Sequence, residues 1–181
     1  MAPLFLAAAV GLGLVVASRK RPVEPKAIPH PAMAIAHATL PRVAQVLGVP
    51  TPRLRAVSGD GLGWARGNVI ELNPHALARE LARCPSRAGA YGVLVWLLAH
   101  ETAHIIGRDG WAPLHERVAR EHRADWYAGY ALARLAQNVD LVAAAIARLN
   151  YGCTPTHGCD FERIAALRAG YVAGQMDLVA A

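Results

Sequence analysis

Apolar and polar positions along the chain change period several times. Residues 2–18 carry no charged side chain, and Arg19-Lys20-Arg21 follow at once. A stretch of that length lies at the short limit for spanning a bilayer as a helix. It predicts an N-terminal membrane helix over residues 1–18. A cleaved secretory signal is the rival, because Val15-x-Ala17 has the small residues of a cleavage site. Positive charge comes after the apolar run rather than before it. That order favours an uncleaved anchor and places residues 19 onward on the cytoplasmic side. Residues 19–31 hold four prolines and read as an extended, basic linker.

Residues 32–181 have the length of one domain with a single core. Helix-like periodicity covers about 32–48, broken or restarted at Pro41, and a short strand is expected at 53–58. A glycine-rich turn over 59–63 leads to a strand pair near 64–72, where Val69, Ile70 and Leu72 favour extended backbone. Asn73-Pro74 caps a helix reaching about Arg83. Long helices follow at 87–106 and 113–136, then shorter ones at 138–149 and 160–174. The fold class is α+β: helix-rich, with a small antiparallel sheet, and preceded by the membrane helix.

The helix at 87–106 contains the apolar run Val93–Ala99 and ends in His100-Glu101-Thr102-Ala103-His104, with Gly107 as its C-cap. Positions four apart share a helix face, so His100 and His104 can offer two imidazole nitrogens to one metal ion. Glu101 stands beside them, placed to act on a metal-activated water. A catalytic zinc site takes three protein ligands and keeps one position open. The third ligand is therefore sought elsewhere, and Glu121-His122-Arg123-Ala124-Asp125 supplies it. Glu121 and Asp125 also share a face. Glu121 is read as the ligand and Asp125 as the acceptor of a ligand histidine's free N–H, with the reverse assignment and His115 as alternatives. His122 points off that face. A solvated charged face is the plain alternative for this helix, and a polar helix end for the first. Ala124, Ala128 and Gly129 form a small-residue patch that permits close helix packing.

His100-Glu101-x-x-His104 followed by Glu121-x-x-Ala124-Asp125-x-x-Ala128-Gly129-Tyr130 resembles the gluzincin peptidases. It is most similar to the membrane-associated family of CAAX prenyl endopeptidases and the bacterial heat-shock membrane peptidase. Thr156-His157-Gly158 and Glu162-Arg163-Ile164 resemble a downstream segment of that family, with glycine at 158 where the family has proline. Residues 64–73 resemble its edge strand, which pairs with extended peptide. A metzincin pattern fails, because position 110 is glycine rather than histidine. The resemblance implies a zincin-like domain that binds Zn2+ through His100, His104 and Glu121. It also implies Glu101 as general base and His157 as donor to the developing oxyanion, with Tyr151 as the substitute.

The formal net charge is +6, and half of it comes from Arg19, Lys20, Arg21 and Lys26 against Glu24. That clustering suits anionic headgroups. Aromatic residues make up only 6% of the chain and no nucleic-acid module is present, so nucleic acid is not an expected partner. Cys153 and Cys159 can pair in an oxidising compartment, which leaves Cys84 over; in the cytosol all three would be thiols. The sequence therefore reads as a single-pass, membrane-anchored zinc metallopeptidase acting on peptide or protein. The alternatives are an envelope or peptidoglycan hydrolase on the exported side and a non-catalytic membrane protein with a structural zinc.

Overall fold

A computed structural model describes residues 30–109, 113–150 and 152–180. Nearly all of the expected anchor-and-linker region, residues 1–29, lies outside the described residues, as does Tyr151. Among the described residues no helix is long and apolar enough to cross a membrane.

Helix α1 (Pro31–Val46) opens with His30 accepting from the Ala32 N–H at 3.2 Å. It runs without a break through Pro41, where a break or restart was expected. Proline removes one helix hydrogen bond, but Leu40, Val43 and Ala44 continue the buried stripe on both sides of it. Strands β1 (Arg53–Ala56), β2 (Gly63–Arg66) and β3 (Val69–Leu72) follow in the order β1-β3-β2. The sheet is mixed rather than antiparallel: β1 runs parallel to β3, while β2 runs antiparallel to it. The reason lies in the connections. Gly67, with φ of 59°, turns β2 directly into β3. The longer glycine-rich segment before β2 carries the chain across β3 to the far edge, with Gly59 and Gly61 at positive φ.

Asn73 caps helix α2 (Pro74–Ala82), accepting from His75 and Ala76 at 3.1 Å each, and its amide ties back to the Gly59 carbonyl. Helix α3 (Arg87–Ile106) is the centre of the domain. Every residue from Gly92 through Ala103 is buried, with α1, α2, α4, α5 and the sheet packed around it. That explains its apolar character on all sides. Helices α4 (Leu114–Arg134), α5 (Val139–Asn150) and α6 (Asp160–Val179) complete the helix-rich α+β domain. Cys153 and Cys159 are disulfide-bonded across a two-strand hairpin, β4 (Cys153–Thr154) and β5 (Gly158–Cys159), which the sequence did not signal. Cys84 remains a half-buried thiol.

The small-residue patch on α4 finds its partner in α6. A Cβ on Gly129 would stand 1.8 Å from the Leu167 carbonyl oxygen, and one on Gly170 1.8 Å from that of Trp126. The two backbones therefore meet at glycines from both sides, closer than side chains would allow.

Candidate metal centre

His100 and His104 sit in the last two turns of α3, and Glu121 and Asp125 one turn apart on α4, the helix laid against it. Crossing these two helices brings three ligand atoms to one point. His100 Nε2 lies 3.1 Å from His104 Nε2 and 3.2 Å from Glu121 Oε2, and His104 Nε2 lies 3.5 Å from Glu121 Oε1. Tetrahedral bonds of about 2.0–2.1 Å to a zinc ion imply ligand separations of about 3.3–3.4 Å. The observed triangle has that size. Among the described residues, these three are the only histidine, cysteine or acidic group close enough to share an ion.

Each imidazole is held from behind by a carboxylate. Asp125 Oδ1 is 3.0 Å from His100 Nδ1, and Asp109 Oδ2 is 3.0 Å from His104 Nδ1. Both rings consequently turn Nε2 toward Glu121. Asp125 is fully buried and also accepts from Trp96 Nε1 at 3.1 Å and from Arg163 Nε at 2.6 Å. Asp109 reaches His104 because Arg108 adopts φ of 51° after the helix end and folds the chain back. Arg123 then grips the Asp109 carboxylate at 2.6 and 2.7 Å. Glu121 is different. Its Oε2 is buried yet makes no well-aligned hydrogen bond, despite lying beside His100. His100 Nε2 at 3.2 Å and Arg163 at 3.8 Å lie near that oxygen without hydrogen-bonding it. Such a buried carboxylate oxygen is costly, and a cation between it and the two imidazoles would remove that cost.

The protonation states agree. Burial alone would depress His100, but the Asp125 and Glu121 carboxylates outweigh it and raise its pKa to about 10. Burial likewise works against ionised Glu121, yet the positive charge of His100 at 3.2 Å, helped by His104, holds it down to about 2. Asp125 is pulled well below the ordinary carboxylate range: burial opposes its ionisation, but His100 and Arg163 prevail. His104 moves the other way, lowered by burial and by the charge of His100. A proton on His100 thus occupies the place a metal ion would take.

Glu101 lies one residue on, 6% exposed, with its carboxyl raised to about 7 mainly by burial. It hydrogen-bonds the backbone of Ala65 in β2. β2 is an edge strand, and the Asn73 N–H bond to the Leu62 carbonyl fixes which of its groups face outward. In an antiparallel ladder alternate residues pair, so Trp64 and Arg66 bond β3 while Gly63 and Ala65 turn their backbone groups to the open side. That side borders a cleft of about 380 Å³ containing His100, Glu101, His104, Glu121 and His157. Of the residues read as a strand pair near 64–72, only 63–66 form this edge; 69–72 lie in the middle of the sheet.

The hairpin brings His157 to the rim of the cleft, with Thr156 Oγ1 2.8 Å from its Nδ1. His115 is exposed, its ring close only to Glu116, and does not join the site. His122 turns off the ligand face toward Glu162, 3.8 Å away. Sequence reasoning did not assign Asp109, Trp96 or Arg163. Arg163 had a signal, its place in the Glu162-Arg163-Ile164 segment; Asp109 had only its position just beyond the Gly107 cap. No protein-family model, curated protein or solved structure matches this chain.

Proposed function

We propose that this protein is a membrane-anchored zinc metallopeptidase that cleaves peptide bonds in an extended substrate. The observation that carries the reading is the triangle of His100, His104 and Glu121 at zinc-ligand spacing, with the buried carboxyl of Glu101 beside it. Zinc, when bound, supplies a Lewis acid that polarises the scissile carbonyl and acidifies the attacking water. Glu101 takes the proton from that water as its oxygen bonds the carbonyl carbon, then passes it to the amine as the C–N bond breaks. Outward-facing backbone groups of β2 offer an extended peptide a strand to pair with. His157 is placed to donate to the oxyanion from the rim. Residues 2–18 would hold the domain at a membrane.

One observation favours a second reading, in which the same chemistry acts on envelope or peptidoglycan substrates on the exported side. The Cys153–Cys159 bridge belongs to an oxidising compartment, whereas the basic cluster after the apolar segment places the domain inside. Reporter fusions after residue 181 separate the two.

Metal analysis of the full chain tests the core of the proposal. Wild type should hold close to one zinc per chain, and both His104→Ala and Glu121→Ala should lose most of it. A peptide-library assay with a chelator control then tests cleavage. Full metal occupancy in Glu121→Ala would overturn the ligand assignment. A Glu101→Gln variant that keeps zinc and every activity would leave a structural metal site instead.

A further inference from the structure

The metal-facing residues also wall a second hollow. A cavity of about 520 Å³ opens beside His100, Glu101 and Glu121, on the side toward α5 and the glycine turn. Its remaining wall is largely apolar, formed by Leu62, Trp96, Leu97 and Leu149. Glu101, Glu121 and Arg163 border it as well, together with the polar side chains of Thr154 and His157. Glu101 hydrogen-bonds the Ala65 backbone, Glu121 lies against His100, and Arg163 is bound to Asp125 through two hydrogen bonds. The indole N–H of Trp96 is likewise taken by Asp125. A charged side chain entering here would lose most of its water against an apolar wall, with only the neutral Thr154 and His157 side chains left to meet it. An apolar one would bury its surface.

Resting on the metallopeptidase reading, we propose that this cavity is the primary specificity pocket and takes a bulky apolar side chain of a residue flanking the scissile bond. Neighbouring residues of an extended peptide stand about 3.8 Å apart at Cα. His100, Glu101 and Glu121 line both this hollow and the cleft beside β2, so a peptide lying in the cleft has side chains within reach of the hollow. Gly61 and Gly63 border the cavity without side chains to narrow it. The volume exceeds that of a leucine or phenylalanine side chain, so size excludes little. Polarity is what selects.

The zinc-loaded full chain is tested against peptides varied at the two flanking positions. Leucine, methionine or phenylalanine at one of them should raise kcat/KM roughly 10- to 100-fold over alanine, and further over aspartate or lysine. Leu149→Trp should fill the pocket and shift preference to small residues while alanine peptides are still cut. Leu62→Trp, from the turn, makes the same test should the first variant fold poorly. A second readout avoids turnover: a peptidyl hydroxamate bearing an isobutyl group should bind the wild type at least ~10-fold more tightly than its methyl counterpart, with the difference lost in the filled variants. Cleavage without apolar preference, or preference untouched by both fillings, overturns the pocket. No cleavage of any peptide alongside retained hydroxamate discrimination overturns the peptidase reading and keeps the pocket. Loss of both removes both.

Discussion

The Asp109 carboxylate stands 3.0 Å from His104 Nδ1 and is clamped on its other side by Arg123. It orients the second imidazole as Asp125 orients the first. Carboxylates behind ligand histidines commonly tune metal affinity by 10- to 100-fold. Asp109→Asn should therefore weaken zinc binding by about that factor, with little change in far-ultraviolet circular dichroism. Competition with a chromogenic chelator measures it. An unchanged dissociation constant would remove Asp109 from the site.

Glu101 must be ionised to accept a proton. Its carboxyl is raised to about 7 without metal, and a bound dication pulls that value down. Activity should rise with pH along a single-proton limb whose midpoint falls at or below about 7. Glu101→Gln should retain zinc and lose roughly 10²- to 10⁴-fold in kcat. A pH–rate profile with no acidic limb would contradict this role.

Removing the metal exposes a different dependence. Glu121 titrates near 2 in the fold against an ordinary 4.5, so its stabilising effect is complete above 4.5 and is lost as pH falls toward 2. Asp125 behaves the same way. His100 rises from 6.5 to about 10, so its effect is complete below 6.5 and is lost as pH climbs through 10. The chelator-treated protein should be most stable between these limits, near pH 5–6. Thermal melts should show Tm falling on both sides of that plateau. Zinc binding at neutral pH should release a proton, measurable by calorimetry in buffers of different ionisation enthalpy.

The Cys153–Cys159 bridge closes the turn that carries His157. His157→Ala should lower kcat by about 10²-fold if the imidazole donates to the oxyanion. A dithiol reductant, or paired Cys→Ser substitutions, should give a smaller loss in the same direction with zinc retained. Combined with His157→Ala, reduction should add nothing. An additive loss would mean that the bridge acts through something other than His157.

Much of this site was legible because helical spacing carries geometry. A spacing of four from His100 to His104, and of four from Glu121 to Asp125, fixed which side chains share a face. The convergence of α3 and α4 on one point was inferred from what zinc requires, and the fold satisfies it. What escaped was set by backbone conformation and long-range contact. Asp109 reaches His104 through a single left-handed residue, Arg108, which no local pattern announces. Arg163 meets Asp125 across 38 positions. The parallel pairing of β1 with β3 follows from a crossover, whereas hydrophobic alternation reports only which face of a strand is buried. The helix through Pro41 shows tertiary burial overriding a local breaker.

The glycine contact between α4 and α6 has a mechanical outcome. Gly129 and Gly170 leave no room for a side chain between α4 and α6, so this close approach fixes where Glu121 and Asp125 on α4 stand relative to Arg163 on α6 and to the imidazoles of α3. A side chain at either glycine would force α4 and α6 apart and draw Glu121 and Asp125 away from the two imidazoles.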